Sequence, residues 1–262
     1  MDVFQQKTKI LQYETVQEFL RDFTFQNKDY ILASRSIYEA FFRDSTGRAS
    51  IAFHSDYGQG EPDDRMLDAM LKDMREKQPE RIIAIGGGSV IDCAKLFVLE
   101  GTASAEDMFL HRCTPEKSRE LIAIPTTCGS GSEVSRISIC ELTSLHTKLG
   151  LAVDALYPDQ AVLIPELLSK LPFFYFVTSG IDALIHASES FVSPKSNAYT
   201  RMFSAEAIRL LLHGFQVIAK EGEDARMRLL GDFMQASNFA GIAFGNTGTG
   251  AVHALSYPLS GI

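Results

Sequence analysis

Two short, wholly apolar segments constrain the fold of this chain more than any other feature of its sequence. Residues 82–85 read IIAI and residues 121–124 read LIAI, and each segment runs directly into a loop rich in glycine or hydroxyl residues. Uninterrupted apolar strands of this length are typical of a parallel sheet that is covered on both faces. The pattern therefore predicts an α/β protein.

The surrounding sequence alternates between strand-like and helix-like segments. Residues 29–33 and 49–53 are predicted strands, while residues 36–42, 62–77 and 90–99 have helical spacing of apolar side chains. This alternation predicts a doubly wound, mostly parallel-sheet domain over residues 1–164. From Pro165 onward every segment has helical periodicity, which predicts an all-helical domain over residues 165–262.

Composition narrows the class of protein. Hydrophobic residues make up 45% and charged residues 22% of the 262 residues, which is ordinary for a soluble globular protein. A net charge of −8 gives no basic surface for nucleic acid or anionic lipid. The N-terminus does not resemble a signal peptide, and the four cysteines form no CxxC pair. We therefore expect a cytoplasmic protein with reduced cysteines, and neither nucleic acid nor a membrane as a partner.

The first loop, GGGSVIDCAK at residues 86–95, lies between an apolar strand and a helix. Glycines there let a ligand approach the backbone, and the start of the helix attracts phosphate. A tight structural turn explains the same residues equally well, because Ile91 stands where the dinucleotide fingerprint has its third glycine. Asp92 can likewise be interpreted as a first-turn residue that the helix dipole favours.

The second loop, PTTCGSGSE at residues 125–133, follows the other apolar strand. Ligands of open parallel sheets bind at the carboxyl ends of the strands, so the two loops together indicate a dinucleotide or a similar phosphorylated cofactor. Two ordinary Gly/Ser-rich connections are the alternative interpretation.

Asp182 and His186 suggest a metal site in the helical part. They are four residues apart, hence on one face of a helix, and Glu189 lies one turn further. A carboxylate and an imidazole in this arrangement can share a divalent cation, although a simple hydrogen-bonded pair is common at this spacing. His253 is a third candidate ligand, with a buried core histidine as its alternative interpretation.

At this point the motifs resemble a known family. GGGSVIDCAK, PTTCGSGSE, GIDALIHASES at 180–190 and AGIAFGNTGTGAVHALSYPL at 240–259 match the iron-containing, group III alcohol dehydrogenases in order and spacing. YGQGEP, KLFVLEG and HALSYPL resemble the 4-hydroxybutyrate dehydrogenase branch of that family. The resemblance implies a metal-dependent NAD(P) oxidoreductase that interconverts a primary alcohol and an aldehyde, such as 4-hydroxybutyrate and succinate semialdehyde.

The resemblance also implies residue roles, a Lewis-acid metal that is Fe²⁺ or Zn²⁺, a small-molecule alcohol or aldehyde substrate, and self-association into a homo-oligomer. The role of Lys148 as a cofactor contact rests on this resemblance alone. The implied roles are pyrophosphate binding for Gly87, Gly88 and Ser89, support of that loop for Asp92, the nicotinamide side for Thr126, Thr127 and Ser130, a further cofactor contact for Lys148, and metal ligation for Asp182, His186 and His253.

Two departures from the family pattern lead to further expectations. Ser34 and Arg35 stand where the family often has an acid for the adenosine ribose, so the cofactor can be NAD or NADP. The family's fourth ligand, a histidine before glycine, follows HALSYPL, whereas this sequence ends at Ile262. We therefore expect weak metal binding and slow turnover. The alternatives are a truncated, catalytically impaired nucleotide-binding remnant and a superfamily member of glycerol dehydrogenase or dehydroquinate synthase type.

Overall fold

A computed structural model describes residues 3–58, 60–248, 250–253 and 255. Its strands are β1 (Lys9–Gln12), β2 (Asp29–Ala33), β3 (Ser50–Phe53), β4 (Arg81–Gly86), β5 (Glu120–Pro125), β6 (Ile137–Leu142), β7 (Thr147–Ala152) and β8 (Gln160–Leu163). Its α-helices are α1 (Val16–Asp22), α2 (Arg35–Phe41), α3 (Asp64–Lys77), α4 (Gly88–Phe97), α5 (Ala105–Phe109), α6 (Phe173–Val192), α7 (Ala198–Glu221) and α8 (Leu230–Thr247).

Six strands form one sheet in the order β1-β8-β5-β4-β2-β3, and every neighbouring pair is parallel. The predicted parallel-sheet α/β fold with a helical part is therefore confirmed. Successive side chains of β4 point to opposite faces of the sheet. Ile82 and Ala84 join a core with α3 and α4, whereas Ile83 and Ile85 join a second core with α1 and α2.

The direction of the chain across the sheet reverses between β2 and β4. From β2 the chain passes through α2 to β3 at one edge, and from β4 it passes through α4 toward β5 on the other side. The loops after β2 and β4 therefore diverge to opposite faces and leave a crevice at the carboxyl end of the sheet. Such a crevice is the usual ligand site of an open α/β sheet.

Four strands carry no clear sequence signal and were not predicted. β1 is mostly exposed, β8 has only four residues, and β6 and β7 form a separate antiparallel hairpin that packs beside α4. β6 alternates half-buried and buried side chains and β7 is mostly exposed or half-buried, so the hairpin does not share the apolar signature of the sheet interior. The four cysteines are free thiols.

The described residues after Pro165 form helices and their connections, with no strand among them. Residues 165–170 form a 3₁₀ helix that ends before α6, and a second 3₁₀ helix, Glu223–Arg228, precedes α8. Helices α6, α7 and α8 pack against one another around Phe176 and Phe233. Among the described residues, α7 is the one helix whose length and composition would suit a membrane span, and core helices of soluble proteins pass the same test.

Candidate active site

The glycine loop after β4 leads directly into α4. Gly87 is the N-cap residue of this helix, and no side chain in the described part of the structure caps it, so the first backbone N–H groups remain available to an anion. A Cβ on Gly88 would lie 2.8 Å from the Ser130 side chain. The glycines therefore also allow the two loops to pack together, which the sequence analysis did not anticipate.

Asp92 supports the loop, but its interpretation as a first-turn residue is wrong. It lies in the second turn of α4, where no helix-dipole effect is expected. Its carboxylate accepts hydrogen bonds from the Ser132 hydroxyl, the Lys95 ammonium (3.1 Å) and the backbone N–H of Ile139 (3.2 Å). Asp92 thus ties α4 to the hydroxyl-rich loop and to the β6–β7 hairpin.

Lys95 is the buried centre of this polar network. Its side chain is fully buried, and its ammonium donates to the hydroxyls of Ser132 (2.6 Å) and Ser135 (3.2 Å). Burial lowers the pKa of Lys95, while the nearby Asp92 carboxylate opposes this shift. Burial raises the pKa of Glu133, whose carboxylate accepts a 2.9 Å hydrogen bond from Asn238 of α8. The network therefore extends from the sheet domain to the helical part.

Asp182, His186 and His253 come together as the sequence predicted for metal ligands. One donor atom from each residue lies within 4.8 Å of the others. The imidazole of His253 stacks on that of His186 at 4.3 Å, and Phe244 stacks on the other face of His186 at 4.4 Å. A carboxylate and two imidazoles suit Fe²⁺ or Zn²⁺ in softness and charge. The donor set present here therefore fits a divalent cation.

The electrostatics of the cluster favour a cation. Burial lowers the pKa of His186, which keeps its imidazole neutral and able to donate a lone pair. Burial opposes ionisation of Asp182, but the His253 hydrogen bond and the two imidazoles outweigh it, so the pKa of Asp182 is lowered. The hydrogen bond to Asp182 raises the pKa of His253 against its partial burial. The anionic Asp182 and the neutral His186 match the charge state that a metal requires, whereas His253 must lose its proton when a metal binds.

The eleven predicted site residues all line two adjoining cavities. The larger cavity has a volume of about 860 Å³ and contains the metal-ligand candidates together with Asp92, Ser130 and Lys148. The smaller cavity, about 400 Å³, contains Gly87 and Thr126 and extends to Ser34 after β2. Thr126 therefore lies at the end away from Asp182. Both cavities are lined by the same four residues at their junction, namely Gly88, Ser89, Thr127 and Leu171.

Several residues of the site were not predicted. Glu61 lines the larger cavity and forms an ion pair with Lys148. Tyr175, Thr178 and Ser179, in the first turns of α6, line the same cavity. Lys95 belongs to the glycine-loop motif, seven residues after Gly88. Its position so close to the predicted start of the helix was the sequence signal that could have indicated the buried network. The residues on α6 carry no such signal in the sequence.

Comparison with known proteins identifies the family. Residues 8–165 match the family model described as iron-containing alcohol dehydrogenase. Residues 176–262 match the C-terminal model of the Fe-containing alcohol dehydrogenase family. This chain belongs to the iron-containing alcohol dehydrogenase family. The predicted family membership and the oxidoreductase class that goes with it are thus confirmed.

Relatives within the iron-containing alcohol dehydrogenases include well-matched curated enzymes. The chain is 47% identical to 4-hydroxybutyrate dehydrogenase of Clostridium kluyveri over 252 residues, which cover 96% of this chain and 68% of that protein. It is 36% identical to long-chain-alcohol dehydrogenase 1 of Geobacillus thermodenitrificans over 192 residues, which cover 71% of this chain and 48% of that enzyme. The chain thus spans about half the length of the Geobacillus enzyme.

Solved structures of other proteins share the fold. Sulfoacetaldehyde reductase from Bifidobacterium kashiwanohense, solved in complex with NAD⁺, superposes with a TM-score of 0.86 at 25% identity and covers 99% of this chain and 71% of that one. An iron-containing alcohol dehydrogenase from Thermotoga maritima gives a TM-score of 0.80 at 23% identity, with 98% and 72% coverage. The architecture is therefore common to proteins whose sequences have diverged widely.

Proposed function

We propose that this chain binds a nicotinamide dinucleotide and a divalent metal in one continuous site, and interconverts a primary alcohol and its aldehyde. The observation that carries the proposal is the connection between the two cavities. Gly88, Ser89 and Thr127 line both, so one elongated space reaches from the end of β2 to Asp182, His186 and His253. An extended dinucleotide and a small substrate fit such a space.

The residues of the chain have separate tasks in this proposal. Gly87, Gly88 and Ser89 present the N-terminus of α4 to the pyrophosphate, and Thr126, Thr127 and Ser130 offer hydroxyl groups along the remainder of the cofactor. Asp182, His186 and His253 hold the metal, and Phe244 excludes water from one face of His186. When bound, the metal supplies Lewis acidity toward the substrate oxygen and the nicotinamide accepts the hydride. The alcohol loses a hydride and a proton, and the proton passes to solvent.

The proposed substrate pair is 4-hydroxybutyrate and succinate semialdehyde. The support is the 47% identity to a 4-hydroxybutyrate dehydrogenase over nearly the whole chain. We also propose that NADP(H) is tolerated beside NAD(H). Arg35 stands between Ser34 and Ser36, which both line the smaller cavity, and its guanidinium lies over the Phe53 ring and pairs with Asp56. A guanidinium at this position can accept the 2′-phosphate that a carboxylate would repel.

The test combines binding with turnover. NADH and NADPH affinities are measured by fluorescence. Zn²⁺ and Fe²⁺ affinities are measured by calorimetry, and oxygen is excluded from the Fe²⁺ experiments. Turnover is followed by NADH absorbance with 4-hydroxybutyrate, 1-propanol and 1-butanol. We expect NADH binding, metal-dependent oxidation, and the highest kcat/KM with 4-hydroxybutyrate. A chain that binds neither NADH nor metal would contradict the proposed site, and equal kcat/KM for all three alcohols would contradict the substrate assignment.

A further inference from the structure

Glu189 lies next to the proposed metal ligands without belonging to the cluster. It stands on α6 one turn beyond His186, and its side chain is only 9% exposed. One carboxylate oxygen of Glu189 lies 2.6 Å from Nδ1 of His253. The other ring nitrogen of His253, Nε2, lies 3.4 Å from a carboxylate oxygen of Asp182. The two nitrogens of one imidazole are thus held by two different carboxylates of the same helix.

The same carboxylate also fixes the backbone that carries His253. Glu189 accepts hydrogen bonds from the backbone N–H groups of Gly250 (2.8 Å) and Val252 (2.6 Å). A Cβ on Gly250 would lie 2.9 Å from the Glu189 carboxylate, so glycine permits this close approach. Glu189 therefore binds the segment after α8 to α6 at three points, one of them being the imidazole itself.

A neutral imidazole has one N–H donor and one lone-pair acceptor. A carboxylate can only accept, and the Glu189 oxygen is much nearer to Nδ1 (2.6 Å) than the Asp182 oxygen is to Nε2 (3.4 Å). Glu189 therefore favours the neutral tautomer of His253 that carries its proton on Nδ1 and leaves the lone pair on Nε2. In His186 the corresponding nitrogen, Nδ1, lies 3.4 Å from the backbone carbonyl oxygen of Gly129, which can likewise only accept a hydrogen bond. Metal-binding histidines commonly donate a hydrogen bond from the N–H of their second ring nitrogen to such a partner, which fixes the ring and raises its basicity.

We propose that Glu189 is the positioning residue for His253, and that it fixes both the tautomer and the placement of this ligand so that Nε2 faces the metal. The inference rests on the proposed function, since it assumes that Asp182, His186 and His253 hold the metal. It adds a residue that lines neither of the two cavities and acts through His253 and the backbone that carries it.

The test uses the 262-residue chain, with Co²⁺ as a probe whose visible absorption reports its coordination. We expect Glu189→Ala to weaken Co²⁺ binding by about 10- to 100-fold. Glu189→Gln should weaken it less, because the amide oxygen still accepts from Nδ1–H and from the backbone but lacks the charge. Ser188→Ala, an exposed neighbour on the same helix, is the matched control and should bind Co²⁺ like the wild type.

A second measurement does not involve metal. Long-range ¹H–¹⁵N spectra of the metal-free chain at alkaline pH report which nitrogen of His253 carries the proton. We expect the Nδ1–H tautomer in the wild type and a shift toward Nε2–H in Glu189→Ala. A merely structural role for Glu189 would change stability without changing the tautomer.

The outcomes separate the two proposals. If the wild type binds no Co²⁺, the proposed metal site is wrong, and the role of Glu189 with it. If the wild type binds Co²⁺ and Glu189→Ala binds it equally well with an unchanged tautomer, only the positioning role is overturned. Weaker binding in Glu189→Ala with partial rescue by Glu189→Gln supports the inference.

Discussion

The two ends of the candidate active site are built in different ways. At the α/β end, most of the cofactor-binding candidates lie in or next to the two loops that follow the parallel strands β4 and β5, and much of what they offer is backbone. At the helical end, the site consists of side chains: Asp182 and His186 from α6, with His253 from a segment after α8. The first kind of site depends on close packing of loops, and the second on the placement of a few side chains. The following predictions test that contrast, beginning with the largest expected effect.

The loops of the α/β end depend on a buried charge network. Lys95→Met removes the ammonium that Asp92, Ser132 and Ser135 contact, and leaves acidic groups without compensation. We expect a loss of about 3–5 kcal/mol in the free energy of unfolding, measured with urea. Lys72→Met, on the exposed side of α3, is the control and should change stability by less than about 0.5 kcal/mol. A small effect of Lys95→Met would show that the loops hold together without the network.

Helix α8 and the hydroxyl-rich loop meet through a close contact between two glycines, Gly241 and Gly131. A Cβ on Gly241 of α8 would lie 2.7 Å from both the Cα and the carbonyl oxygen of Gly131 in the hydroxyl-rich loop. Because backbone atoms cannot move aside easily, we expect Gly241→Ala to cost about 1–3 kcal/mol in urea unfolding.

Gly245 provides the matched control on the same helix. A Cβ there would lie 3.7 Å from Ser135, which is an ordinary van der Waals contact. Alanine is the better helix former, so Gly245→Ala should be neutral or stabilising by up to about 1 kcal/mol. Equal effects of the two substitutions would indicate that the loop and α8 do not need this close approach.

A crossed binding experiment tests whether the two ends act separately. Gly87→Val obstructs the approach to the start of α4, so NADH affinity should fall about tenfold, or 1.4 kcal/mol, with metal affinity unchanged. His186→Ala should reduce metal affinity at least about tenfold and leave NADH affinity within about twofold. Gly87 is the better position because a Cβ there lies 3.1 Å from Thr127, whereas at Gly88 it would collide with Ser130. If either variant lowers both affinities, the two ends form one coupled unit.

The smallest effect is expected for an exposed ion-pair group in the α/β half. Asp154 accepts hydrogen bonds from Lys7 (2.7 Å) and Arg136 (2.6 Å), which lower its pKa to about 2 from 3.8. Because the folded pKa is the lower one, the stabilisation is fully present above pH 3.8 and is lost as the pH falls toward 2. The side chain is 46% exposed, so solvent screening reduces the effect.

Asp154→Asn should therefore cost about 0.5 kcal/mol at neutral pH, measured by urea unfolding. The difference from wild type should shrink as the pH falls from about 4 to about 2. A difference that is constant with pH would show that hydrogen bonding rather than charge carries the contribution.

The α/β end was the easier one to predict from sequence, for a physical reason. A strand buried on both faces must be apolar throughout, and a loop that follows it toward a ligand needs small or hydroxyl residues. Residues 82–88 and 121–130 satisfy both requirements within a few positions, so the local sequence contains the signal. β1, β8 and the β6–β7 hairpin lack it because their strands are exposed, short or only half-buried.

At the helical end the sequence by itself determined one pair. The four-residue spacing of Asp182 and His186 puts them on one face of α6 through helix geometry alone. His253 reaches that face only because α8 packs against α6 and the following segment is held there by Glu189. Likewise, the contacts of Lys95 with Ser132 and of Glu133 with Asn238 join residues that are far apart in the sequence, and they form only when the chain folds. Local periodicity acts over a few residues, whereas these contacts depend on packing between elements far apart in the chain, which only the tertiary structure decides.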